Sequence, residues 1–172
     1  RYVSMPEAVY VGDERTCLVL DAGSGETLHT FPLDVGKPDE VPVSVTDVRV
    51  DGETIVIAVR FNKENSIPKG RWNSELIVCL DRSTGQQRWS RQSEHRYHTA
   101  AIAMAGGRVF CIDSHSPEDI GAMKRRGIDT AGLASTLLAI NDRTGAEAWK
   151  KIVNDPPAVM DSLHFMSMRT RD

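Results

Sequence analysis

One phrase occurs three times in this chain, and the interval between its occurrences is constant. Leu18-Val19-Leu20-Asp21-Ala22-Gly23-Ser24-Gly25-Glu26 recurs as Ile77-Val78-Cys79-Leu80-Asp81-Arg82-Ser83-Thr84-Gly85-Gln86, then as Leu138-Ala139-Ile140-Asn141-Asp142-Arg143-Thr144-Gly145-Ala146. Asp21, Asp81 and Asn141 are spaced by 60 residues, as are Gly25, Gly85 and Gly145. Self-similarity at a fixed period marks a repeat architecture, in which each unit buries its apolar face only against its neighbours.

The chemistry of the phrase is that of a tight reversal. Asp81 can accept hydrogen bonds from backbone N–H groups two or three residues on, Gly85 supplies a positive φ, and Ser24, Thr84 or Thr144 adds a hydroxyl cap. Asn141 plays the same part as the aspartates. Asp21, Asp81 and Asn141, with Gly25, Gly85 and Gly145, are therefore assigned to structural turns rather than to acid catalysis. Trp89 and Trp149 fall eight residues after Asp81 and Asn141 and are expected to pack between neighbouring sheets. In the first unit His29 holds that place, with Leu28 and Phe31 beside it, so this unit is expected to pack less regularly.

Around each turn the pattern reads strand, strand, turn, strand. In the second unit Val48 and Val50 precede an Asp51-Gly52 turn, and Thr54 to Val59 forms a β-branched run. Glu75 to Leu80 gives the third strand and Gln86 to Ser90 the fourth, a four-stranded antiparallel meander. The third unit repeats the design with Ile102 to Met104, an Ala105-Gly106-Gly107 turn, Arg108 to Ile112 and Thr136 to Ile140. A further unit begins at Ala158-Val159-Met160. The expected blades are 1–33, 44–92 and 98–152, with the start of another at 158–172, within a single domain.

Two insertions interrupt the repeat. In the third unit Ser116 suits an N-cap, Pro117 the first helical position, and Glu118 and Asp119 the positive end of the dipole. Lys124 to Arg126 suit the negative end and Gly127 the stop, predicting a short helix near 116–127. The insertion from Arg60 to Ser74, with Pro68, Gly70, Arg71 and Trp72, reads as a loop on the same edge of the repeat.

At this point the phrase resembles a known family. A strand, Leu-Asp-x-x-Thr-Gly, and a Trp four residues after the Gly resemble the pyrroloquinoline-quinone-type β-propeller repeat, over Val9 to Phe31, Val48 to Trp89 and Ile102 to Trp149. The resemblance implies an all-β propeller of about seven or eight four-stranded blades. About three are present here, with the one short helix. One branch of that family consists of quinoprotein dehydrogenases that hold the quinone and calcium. Another resembles the propeller lipoprotein of the bacterial outer-membrane β-barrel assembly machinery, which binds protein partners without a cofactor. The chain lacks the adjacent-cysteine pair of the quinone-dependent alcohol dehydrogenases, and their calcium ligands and catalytic aspartate map onto no position. The resemblance thus implies a bacterial periplasmic or cell-envelope module, non-catalytic, that binds or scaffolds proteins. No cofactor is expected in this fragment; the quinone and calcium belong to the alternative, part of a quinone-dependent oxidoreductase. A carbohydrate-binding propeller, with Trp72 stacked on a sugar ring, is the second alternative.

Charge and cysteine usage narrow the field. The 21 basic and 24 acidic residues are mixed along the chain, giving a net charge of −3 and no extended positive surface for a phosphate backbone, which argues against nucleic acid. No apolar run approaches the roughly 18 to 20 residues of a membrane-spanning helix. Cys17, Cys79 and Cys111 have no CxxC spacing and apolar neighbours, and are read as small buried hydrophobes. The chain starts at Arg1 and ends without a closing element, so it is read as a fragment of a larger protein or of a longer propeller.

Three polar clusters stand out as candidate sites. His95 and His98 in Glu94-His95-Arg96-Tyr97-His98 would share a face as metal ligands only on a helix; in a connection between blades they point apart. Asp113-Ser114-His115 is read as helix-entry chemistry rather than a triad, since sequence neighbours rarely converge. Met123, Lys124, Arg125 and Arg126, with Arg71 and Trp72 on the neighbouring insertion, form the expected partner surface.

Overall fold

The computed structural model describes residues 1–61 and 73–153, so Arg71, Trp72 and the unit expected at 158–172 lie outside the described residues. Strands β1 (Tyr2–Ser4), β2 (Ala8–Asp13), β3 (Thr16–Asp21) and β4 (Thr27–Pro32) form a four-stranded antiparallel sheet in sequence order. A second meander follows: β5 (Val43–Asp51), β6 (Thr54–Phe61), β7 (Asn73–Asp81) and β8 (Gln87–His98). The third comprises β9 (Ala103–Ala105), β10 (Arg108–Asp113), β11 (Ser135–Asn141) and β12 (Glu147–Val153), with helix α1 (Pro117–Arg125) between β10 and β11. The architecture is that of propeller blades, each a small antiparallel meander.

The middle blade explains the apolar run from Ile55 to Val59. Ile55, Ile57 and Val59 face the first blade together with Leu76, Val78 and Leu80 of β7, and meet Tyr10, Cys17, Val19 and Phe31. Val56, Ala58, Ile77 and Cys79 face the other way, against Val109, Cys111, Leu138 and Ile140. A strand buried on both faces has no polar side to alternate with.

The three hairpins share a feature that the repeated phrase does not announce. In each, the register shifts by one residue just before the turn: Val19 opposes His29 and Leu20 opposes Thr27, Cys79 opposes Trp89 and Leu80 opposes Gln87, Ala139 opposes Trp149 and Ile140 opposes Glu147. Leu28, Arg88 and Ala148 are thus the extra residues of three equivalent β-bulges. A one-residue shift exchanges the two faces of a strand. Without the bulge Arg88 would oppose Cys79; with it, Trp89 takes that place and faces the third blade.

There Trp89 meets the next turn. A Cβ added to Gly145 would lie 2.8 Å from the indole, and the indole Nε1–H donates to the Asp142 carbonyl at 2.8 Å. The first interface uses a different side chain. His29 is exposed, and Phe31, two residues further along the same face, is buried against Gly85, where an added Cβ would come within 2.0 Å of the ring. The first unit therefore packs through Phe31 with the same aromatic-on-glycine contact, despite the missing Trp. Trp149 faces outward beside Phe110, ring centroids 6.0 Å apart, and is 42% exposed.

Candidate functional site

Each repeated turn is closed by its first side chain. Asp21 Oδ1 accepts from the N–H groups of Gly23 (3.0 Å) and Ser24 (2.7 Å), Asp81 Oδ1 from Ser83 and Thr84 (both 3.0 Å), and Asn141 Oδ1 from Arg143 (3.0 Å) and Thr144 (2.9 Å). Gly25, Gly85 and Gly145 follow with φ of 76°, 70° and 72°. Bonds from Ser24 and Gly23 hold the Asp21 carboxyl below its ordinary range. The Ser83 hydroxyl, the Arg88 guanidinium and Thr84 do the same for Asp81. A carboxylate held so firmly in its ionised form is a poor general acid.

The residue after each of the last two turn formers reaches back to the preceding blade. Arg82 donates to the Tyr10 hydroxyl at 2.7 Å and to the Gly52 carbonyl at 3.1 Å, and is paired with Glu7. Asp142 Oδ2 accepts from the Thr54 hydroxyl at 3.1 Å, and its carbonyl also receives the Cys79 thiol at 3.1 Å. The sequence carries no local signal of these polar clamps, because their partners are 63 to 88 residues away, apart from Gly52.

The crossover from the second to the third blade is built on Asp113. Between the pairs Gln92–Leu76 and Tyr97–Ser74, residues 93 to 96 bulge out of β8, and Tyr97 then pairs with Asp113 of β10. The buried Asp113 carboxylate accepts the N–H groups of Glu94 (2.6 Å), His95 (2.9 Å) and Arg96 (3.0 Å). Ser114 N–H returns the contact to the Arg96 carbonyl at 2.9 Å. The cluster at 94–98 thus belongs to the end of β8 rather than to a free connection. His95 and His98 are three residues apart on a strand, with no helical face to share. His95 stacks instead on His115, ring centroids 3.8 Å apart and planes inclined by 27°.

His115 leads directly into α1. Ser116 caps the helix, its Oγ accepting from Asp119 N–H at 3.1 Å and donating to Asp119 Oδ2 at 2.9 Å, while Gly127 ends it with a φ of 73°. Arg96 lies 3.9 Å from Asp119 and is paired with Glu75. No residue of α1 is buried; Met123 is half-buried, and Lys124, Arg125 and Arg126 are exposed beside Ile128, itself 50% exposed.

Cys17, Cys79 and Cys111 are free and buried, and burial pushes each thiol up to about 12. Among the described residues no three His, Cys, Asp or Glu side chains are grouped to hold a metal ion. Asp21 and Asp81 are engaged by N–H groups of their own turns, Asp113 by those of residues 94–96, and Glu75 by Phe61 N–H and Arg96. Among the described residues no helix is long and apolar enough to cross a membrane.

The family model described as outer membrane protein assembly factor BamB matches residues 19–169. No curated protein matches the chain. Among solved structures, the chain is similar to quinohemoprotein alcohol dehydrogenase ADHIIG from Pseudomonas putida HK5, at 18% identity and a TM-score of 0.53, covering 88% of this chain and 20% of that one. It is similar to BamB from Moraxella catarrhalis at 15% identity and a TM-score of 0.51, covering 89% and 34%. A europium-containing methanol dehydrogenase aligns at 14% identity and a TM-score of 0.56, covering 91% and 25%. The chain spans between a fifth and about a third of the length of these structures. Repeat, bulged hairpins and family match agree: the chain belongs to the PQQ-type β-propeller repeat family whose model is described as outer membrane protein assembly factor BamB.

Proposed function

We propose that this chain is a non-catalytic propeller module of the bacterial cell envelope that binds protein partners through α1 and the residues after it. The observation that carries the reading is the position of α1: it is inserted between two blade strands, buries none of its residues, and ends in Lys124, Arg125 and Arg126 beside exposed Ile128. A helix that adds nothing to a core yet is capped at both ends is held in place for its outer surface. The family description, which names outer-membrane protein assembly, supports an envelope location and protein partners.

The test is capture of assembly proteins from bacterial envelope extract, identified by mass spectrometry. The combined substitution Lys124→Glu, Arg125→Glu and Arg126→Glu is expected to abolish capture of outer-membrane assembly components while leaving the thermal unfolding curve in place. Equal capture by both proteins would remove α1 from the interface.

A further inference from the structure

We propose that the stacked pair His95 and His115 is a proton-operated latch that holds the entry of α1 against the β8 crossover and releases it on acidification. The inference rests on the reading of α1 as the docking element, whose presentation the latch would control.

The latch is defined by position. Ring centroids 3.8 Å apart leave no room for water between two imidazoles, one on the bulge of β8 and the other one residue before the helix cap. Around them, the segment that leads into α1 is tied to β8 by Ser114 N–H on the Arg96 carbonyl, and the first turn of α1 by Asp119 near Arg96. Breaking the stack therefore loosens the anchor on which the first turn of α1 stands.

The charges around the pair decide the direction. Among the described residues these are Glu94 and Arg96 on β8, Asp113 at the end of β10 and Asp119 on α1, with Glu75 of β7 neutralising Arg96. The three carboxylates Asp119, Asp113 and Glu94 favour a proton on His115, whereas its partial burial and then His95 oppose it, and the balance holds His115 below its ordinary value. Two imidazolium rings in face-to-face contact repel, so acidification that charges both opens the stack. A histidine whose folded value is lowered contributes fully above the ordinary histidine range, and that contribution is lost as pH falls through it.

Hydrogen exchange of the whole protein, corrected for intrinsic rates, tests this without a partner. Between about pH 7.5 and pH 5.5, protection of residues 114–128 is expected to fall about tenfold or more, while β6 and β7 keep theirs. His95→Phe, which preserves a stacking ring that cannot be charged, is expected to abolish most of that fall. Equal protection of 114–128 at the two pH values, or the same fall in His95→Phe, overturns the latch. Should the variant not fold, the ring C–H resonances of His95 and His115 in the unaltered protein decide: coupled titration supports the latch, independent titration at ordinary values overturns it. Because exchange reads the helix alone, failure of the envelope-extract capture leaves this result standing, and the reverse also holds.

Discussion

The indole N–H of Trp89 is bonded to the Asp142 carbonyl at 2.8 Å, and the ring lies where a side chain on Gly145 would have to stand. One residue thereby joins two blades, by an aromatic face and by a directed hydrogen bond. Trp89→Phe keeps most of the ring and removes the bond, and is expected to cost about 1 kcal/mol. Trp89→Ala removes both, and is expected to cost about 3 kcal/mol. Urea denaturation of the two variants separates the contributions.

The turn glycines should respond unequally although their backbones are alike. Gly25 has a φ of 76° with nothing within 4 Å of an added Cβ, so Gly25→Ala carries only the left-handed strain, about 1 kcal/mol. Gly85 has a φ of 70° and the Phe31 ring within 2.0 Å. Gly85→Ala is expected to cost roughly 1 to 3 kcal/mol more, because an overpacked interface must open. Thermal unfolding of the pair measures the difference directly.

Asp113 gathers three consecutive N–H groups, those of Glu94, His95 and Arg96. Asp113→Ala removes the acceptor of three part-buried N–H groups and is expected to destabilise the protein by about 2 kcal/mol. Asp113→Asn keeps one acceptor oxygen and is expected to lose less. Equal denaturation midpoints for the two variants would contradict the clamp.

Acid should act on two of the three turns. The hydroxyl and N–H bonds to Asp21 and Asp81 lower both carboxyls in the folded state. Their stabilisation is present above the unfolded value of about 3.9 and is lost as pH falls through the folded one. Asn141 makes the same bonds without a titrating group. The denaturation midpoint is expected to fall between about pH 5 and pH 2, and Asp81→Asn to flatten part of that fall.

The thiols should stay silent in the native protein. With burial raising Cys17, Cys79 and Cys111 to about 12, a thiol-reactive dye at mildly alkaline pH is expected to label none until denaturant is added. Rapid native labelling of Cys79 would show that the interface at Asp142 opens readily.

What could be read from the chain alone was whatever is closed within a few residues. Asp81 to Gly85 is complete in itself, as is Ser116 to Gly127, and both were legible. Arg82 on Tyr10, Asp142 on Thr54 and Asp113 on the 94–96 backbone join residues whose proximity only the packed blades create. The bulge at Arg88 was hidden for a related reason: a single extra residue leaves the turn motif untouched, yet it decides which face Trp89 occupies. Phe31 shows the same limit, since the register position of the tryptophan belongs to His29 while the contact belongs to its neighbour two residues on.

The aromatic-on-glycine contact also gives the chain a direction in time. Phe31 waits for Gly85, and Trp89 for Gly145, so the first two blades emerging from the ribosome carry rings that later-made chain covers. The first blade is thus completed by the second, and the second by the third. A defect in one turn would first be felt by the blade made before it.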